Sequence, residues 1–222
     1  MARHVDLNDF GVENRTYSLA EWEAIEARTG ERFEYHEGLL LPVRAMAGGT
    51  FEHAVLGANA TGVLYAQLLA TDPDVRCRTC SSDLRIKIPG TDRYLYPDAA
   101  VVCGPPVYDE AIRMAIRNPV VVVEVVSESS DGYDHGRKFE YYSALETLRH
   151  YVLVAQDEHH VEVRSRGEGG GPDWRFEFVY GTDTSVQLPA LGIALPMREL
   201  YRGVVVEDDG YGKPQDEVVP AG

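Results

Sequence analysis

A chain of 222 residues with 44% hydrophobic content can bury a full core, and one domain with small appendages is expected rather than two. The formal net charge of -15 argues against a broad phosphate-binding surface, because non-specific nucleic-acid affinity comes mainly from Lys and Arg and no long basic run is present. Three cysteines, an odd number, argue against a disulfide framework; the start Met1-Ala2-Arg3-His4-Val5-Asp6 lacks the apolar core of a signal peptide and no uninterrupted apolar run is long enough to span a bilayer, so a cytoplasmic protein is expected.

Ser18, ahead of Leu19, Trp22 and Ile25, reads as the N-cap of an amphipathic helix, with Glu21 completing a capping box and Gly30 marking the end. Phe33 to Val43 predicts a strand pair turning at Glu37-Gly38. Phe51 to Leu69 predicts a long helix, with Val55, Leu56, Val63, Leu64 and Leu68 at helical spacing. The alternation Leu84, Ile86, Ile88 predicts a half-buried strand, and Pro89-Gly90-Thr91-Asp92 a turn into a second strand, Tyr94 to Val102, which carries Asp98. Asp109 to Arg117 reads as a short crossover, Pro119 to Ser127 as a β-branched strand at a sheet centre, Asp134 to Leu145 as a helix and His150 to Ala155 as a further strand. Val161 to Arg166 and Trp174 to Tyr180 flank a glycine-rich turn as a loose hairpin. No Gly-Lys-Ser/Thr follows those glycines, so they form no Walker-type phosphate loop. The expected class is α/β (α+β), a core in the order α-β-β-β-α-β with a mixed sheet flanked by helices and extra β-hairpins.

A carboxylate inside the run Val120-Val121-Val122-Val123-Glu124-Val125-Val126 needs compensation, because an ionised Glu on a buried strand loses several kcal/mol of hydration. Metal-assisted phosphodiester hydrolysis uses hard oxygen ligands for Mg²⁺, or Mn²⁺, together with a positive charge near the phosphate. Asp98 and Glu124 can supply two ligands from neighbouring strands, the Val125 carbonyl a third, and Lys138 the charge. The same spacing also fits a buried Glu124–Lys138 ion pair with Asp98 as a turn residue after Pro97. Lys138 and Tyr142 follow Asp134 at i+4 and i+8 on one helix face, and Asp134 itself reads as a helix cap rather than a ligand. Glu34, between Phe33 and Tyr35, and His53, in the first turn of the long helix, are candidates to reach the same site. Cys77-Arg78-Thr79-Cys80 has the spacing of half a zinc site, but only Cys103 remains to complete it. Ser127, Ser129 and Ser130 lack a G-x-S-x-G elbow and read as loop residues at the site entrance.

Taken together, Phe33-Glu34-Tyr35-His36-Glu37-Gly38, Glu52-His53, Tyr96-Pro97-Asp98, Val123-Glu124-Val125-Val126-Ser127 and Asp134-His135-Gly136-Arg137-Lys138-Phe139-Glu140 with Tyr142 resemble the Uma-type restriction endonucleases of bacteria, a branch of the PD-(D/E)XK nuclease superfamily. The likeness runs from about Tyr17 to Tyr201. It implies a restriction-endonuclease-like domain over 17–203, between an N-terminal extension (1–16) and a flexible acidic tail (204–222). It also implies a metal-dependent endonuclease acting on nucleic acid, DNA first, with Asp98, Glu124 and Lys138 at its core and Glu34 as an added acid. A homodimer would supply two sites for two strands. The superfamily's lysine lies two residues after the second carboxylate, where this chain has Val126, so the likeness implies that Lys138 replaces it from the following helix. The alternative is a catalytically silent nuclease-fold module that binds nucleic acid or a protein partner, which the acidic composition favours.

Overall fold

The computed structural model describes residues 7–43, 50–71, 74, 76–126, 131–167 and 171–206. The serines at 127–130, most of the glycine-rich turn and the acidic tail lie outside those residues.

Helix α1 (Leu19–Thr29) begins where its capping box predicts: the Ser18 hydroxyl accepts from the Glu21 N–H, and the Glu21 carboxylate accepts from the Ser18 N–H at 2.8 Å. Gly30 closes it at φ 72°, a left-handed conformation that costs a glycine nothing. Strands β1 (Phe33–His36) and β2 (Leu39–Pro42) form the expected hairpin. Glu37 (φ 53°) and Gly38 (φ 98°) both adopt the positive φ of a tight two-residue turn. The buried Glu26 ties α1 to β1 and to two residues further along the chain. Its carboxylate accepts from the Phe33 N–H at 2.8 Å and from the Tyr96 hydroxyl at 2.9 Å, and it pairs with Arg85. Glu26→Ala is expected to cost about 3 kcal/mol, since it strands a largely buried guanidinium and two donors; urea unfolding measures it.

The long helix α2 (Phe51–Thr71) buries Leu56, Ala60, Leu64 and Leu68. Its length and apolar composition would suit a membrane span. In the fold those four residues join the core cluster beneath the central strands.

Beyond α2 come β3 (Cys77–Ser81), β4 (Arg85–Ile88), β5 (Arg93–Leu95), β6 (Ala99–Cys103), β7 (Ala115–Ile116) and β8 (Pro119–Val126). Tyr94 to Val102, expected as one strand, is two strands in two sheets. Pro97 has no N–H to give to a ladder, so the chain leaves the small sheet after β5 and enters the large sheet at β6. The small sheet has the order β2-β1-β5-β4-β7.

The Lys138 region, expected as one α-helix from Asp134, is composite. A short α3 (Asp131–Tyr133) leads into a π turn (Asp134–Lys138) and then α4 (Phe139–Ser143). The next strands are β9 (His150–Ala155), β10 (His160–Arg166) and β11 (Trp174–Tyr180). A hairpin, β12 (Ser185–Leu188) with β13 (Ile193–Pro196), and a short α5 (Met197–Leu200) complete the chain, and none of these last three was anticipated.

The large sheet has the order β11-β10-β9-β8-β6-β3, with β8 antiparallel to β6 and parallel to β9. The core order α-β-β-β-α-β is realised, but its first strand is β3 and not Arg85–Ile88. Strand β8 reads as continuous valine because both of its faces are covered. Val121, Val123 and Val125 pack with the α2 leucines, whereas Val122 and Val126 pack with Tyr142, Leu145 and Tyr151.

One expectation about the cysteines is overturned. Cys77 and Cys103 stand opposite each other on antiparallel β3 and β6, with Cα atoms 4.0 Å apart, and form a disulfide; Cys80 is free. The odd count concealed a single cross-strand pair, and the pairing removes Cys77 and Cys103 from any zinc site.

Candidate active site

The site forms where the chain leaves Pro97 and where β8 ends. Asp98 precedes β6, and its N–H bonds the Val123 carbonyl at 3.1 Å. One carboxylate oxygen of Asp98 accepts from the Val125 N–H at 2.7 Å, and the other lies 3.0 Å from His53 Nε2 on α2. Asp98 is therefore fixed between the sheet end and the long helix. A groove of about 840 Å³, lined by His53, Gly57, Thr61, Gly62, Ser81 and Asp98 among others, opens onto this carboxylate.

Glu124 points from the opposite face of β8, the face of Val122 and Val126. Its Oε2 lies 2.9 Å from Lys138 Nζ, and both side chains are almost wholly buried. Val126, two residues after Glu124 on that face, is buried, and Lys138 brings its ammonium to the same face from the π turn. Lys138 Nζ also lies 3.3 Å from Asp134 Oδ1 and 3.5 Å from Glu34 Oε1. Asp134, expected to cap the helix, does not: helical structure starts at Asp131, and the Asp134 side chain is buried against Lys138. Glu34, on β1, is fully buried, and its other oxygen is held by His36 Nε2 at 3.0 Å and the Tyr133 hydroxyl at 3.2 Å. Tyr142 is buried on the same side, packed on Tyr151.

The electrostatics follow from three carboxylates around one ammonium. Burial, reinforced by Asp98, Asp134 and Glu34, pushes the Glu124 carboxyl well above the usual range despite Lys138. Burial acts to depress the Lys138 ammonium, but Glu124, Glu34 and Asp134 outweigh it and hold it well above its ordinary value. Burial also acts to raise Glu34, and Lys138 with the His36 and Tyr133 hydrogen bonds reverses this, leaving it lowered. Burial, then Glu124, raises the Tyr142 phenol.

The oxygens at this strand end are of the kind that a hard divalent cation takes. Glu124 Oε1 is buried without a hydrogen-bond partner among the described residues, and the cluster carries more carboxylate than ammonium charge. Among those residues, no group of three or more His, Cys, Asp or Glu converges to hold an ion. Such a cation would rest on Asp98, Glu124 and the Val125 carbonyl, which shares the strand edge of the Val125 N–H.

The structure thus gathers Glu34, Asp134 and Tyr142 with Glu124 and Lys138, and His53 with Asp98 and Val125. Sequence reasoning missed His36 and Tyr133. His36 was legible, because it lies two residues after Glu34 on one strand and so shares its face; Tyr133 had no comparable signal.

The α-β-β-β-α-β core with its mixed sheet is a restriction-endonuclease-like fold. It is shared with the crystal structure of "a putative nuclease belonging to DUF820" from Anabaena variabilis, at a TM-score of 0.59 and 17% identity over 78% of this chain and 91% of that one. Residues 19–198 match the Uma2 family, described as "Putative restriction endonuclease", and the chain belongs to that family. Two uncharacterized proteins of Synechocystis sp. are similar over most of the chain. One, slr1290, is 31% identical over 84% of this chain and 92% of its own length; the other, sll1609, is 27% identical over 79% and 94%. Family and fold together support a nuclease-like, hydrolytic role.

Proposed function

We propose that this protein is a divalent-metal-dependent endonuclease that hydrolyses phosphodiester bonds in nucleic acid, DNA first. The observation that carries the reading is the Lys138 ammonium held 2.9 Å from Glu124, on the strand whose next residue bonds Asp98. Asp98, Glu124 and the Val125 carbonyl would hold Mg²⁺, with Mn²⁺ as a substitute. When bound, that ion supplies Lewis-acid polarisation of the phosphate and neutralises its charge.

The remaining work belongs to the chain. His53 and the Val125 N–H keep the Asp98 carboxylate aimed in one direction. Lys138 orients the attacking water and stabilises charge developing on the phosphate. Glu34 and Asp134 keep Lys138 protonated, and His36 and Tyr133 keep Glu34 ionised. A homodimer would present two such sites to a duplex.

Calorimetric titration of Mg²⁺ and Mn²⁺ into wild type and Asp98→Asn, beside plasmid nicking with the same preparations, tests the proposal. Wild type is expected to bind metal and nick, and Asp98→Asn to lose at least about 100-fold in both. Equal nicking by the two proteins would overturn the assignment of Asp98. Metal binding with no cleavage of DNA or RNA would favour a silent nuclease-fold module.

A further inference from the structure

Lys138 comes from a π turn, and π geometry is rare because it packs the backbone less well than α. Such a turn persists where tertiary contacts support it, and here they come from strands β9 and β10. The Tyr151 hydroxyl, on β9, donates to the Asp134 carbonyl at 3.0 Å, and Arg164 Nη1, on β10, donates to the His135 carbonyl at 2.7 Å. Arg164 Nε donates to Glu162 Oε1 at 2.5 Å, while Glu162 Oε2 lies 3.0 Å from His135 Nε2. His135 is thus gripped at both its backbone and its ring. The guanidinium lies 4.4 Å from the centre of Phe139, the first residue after the turn, and 5.0 Å from that of Phe176. Arg164 and Glu162 side chains are 6% and 5% exposed, so the pair sits within the fold and is spent on the turn.

We infer that Arg164, backed by Glu162 and Tyr151, is a positioning residue that holds the π turn open and so keeps the Lys138 ammonium against Glu124. Relaxing the turn to α geometry removes one residue from its circuit. Everything beyond then rotates by about 100° and shifts by roughly 1.5 Å, which takes Nζ out of reach of Glu124. The inference rests on the nuclease reading only for its catalytic consequence. Arg164 acts through the turn, since its partners are His135, Glu162 and the rings of Phe139, Phe176 and Tyr151.

The test compares wild type with Arg164→Met, which keeps length and apolar packing, and Arg164→Lys, which keeps the charge beside Glu162 but has no fork to reach the His135 carbonyl as well. Reductive methylation with peptide mass spectrometry reads the accessibility of the Lys138 amine, with Lys87 on β4 as internal reference. In Arg164→Met, Lys138 is expected to react at least about tenfold faster while Lys87 is unchanged, and kcat on plasmid to fall about 10- to 100-fold with little change in KM. Arg164→Lys should fall between. A folded Arg164→Met whose Lys138 stays protected, or that loses kcat with Lys138 still protected, overturns the inference. If both lysines react in Arg164→Met, the variant has lost its fold and the protection of Lys138 in Arg164→Lys decides. If wild type cleaves no nucleic acid, the nuclease reading falls, and the methylation pattern still decides whether Arg164 places Lys138.

Discussion

Lys138→Met is expected to abolish cleavage, by about 10²–10³-fold or more, and to destabilise the protein by about 3–5 kcal/mol at neutral pH. Methionine fills the volume, so the loss is electrostatic. It leaves Glu34, Glu124 and Asp134 facing one another in a buried space with no ammonium between them. The sign with pH distinguishes this from a packing defect. In wild type the Lys138 pKa is raised, so its contribution is complete below its ordinary value of 10.5 and is lost only as pH rises through the folded value. Without Lys138, Glu34 loses the main influence that lowers it, and Glu124 loses the one that opposes its rise. Both carboxyls then move upward from where Lys138 holds them, a change that favours the variant at low pH and penalises it as pH rises. The deficit against wild type should therefore shrink between pH 8 and pH 5, as urea unfolding at the two values would show. A deficit below about 1 kcal/mol that does not change with pH would mean that the lysine is not the charge holding these groups together.

The parts of this fold that were legible in the sequence are those set by local chemistry or by burial on both faces. Ser18 and Glu21 satisfy each other across one helical turn, Glu37-Gly38 needs positive φ, and the Glu124 strand is valine on both faces because α2 and α4 cover it. Glu34 and Glu124 could be named because charged groups among apolar neighbours require partners, and Lys138 because it follows Asp134 on one helix face and matches the family pattern. What failed depended on tertiary context. Strand β3 carries Arg78, Thr79 and Ser81 at a sheet edge, so it shows no apolar alternation, and the cross-strand cysteine pair was hidden with it. The proline inside Tyr94 to Val102 was the available signal for a break, and the smooth apolar pattern on either side outweighed it. The π turn could not have been read, since five residues do not separate a 3.6-residue period from a wider one. Its cause lies in Tyr151 and Arg164, which are distant in sequence. Asp134 looked like a cap because it opens the apolar pattern, whereas the helical backbone starts earlier.

Glu124→Gln is expected to move stability and activity in opposite directions. Glutamine has nearly the same shape, and its carbonyl can still accept from Lys138, which keeps Glu34 and Asp134 as counter-charges. What disappears is the carboxyl that burial and its acidic neighbours hold well above the usual range. A raised carboxyl pKa means that wild type, without metal, loses stability as pH rises from 4.5 through the folded value of Glu124. The variant should lack that slope and be about 1–2 kcal/mol more stable at neutral pH, a gain typical of removing a functional strain. Thermal unfolding between pH 5 and pH 8 in the presence of a chelator measures both. Cleavage should fall below detection, because one of the two carboxylates proposed to hold the ion is gone, and added Mg²⁺ should stabilise wild type more than the variant. An unchanged or lower stability would show that the ionised Glu124 and Lys138 form a satisfied pair, in which case the surplus charge that makes room for a cation lies elsewhere in the cluster. A stabilised, inactive Glu124→Gln would mean that this buried carboxylate is kept at a cost to folding, as the proposed ion at the strand end would require.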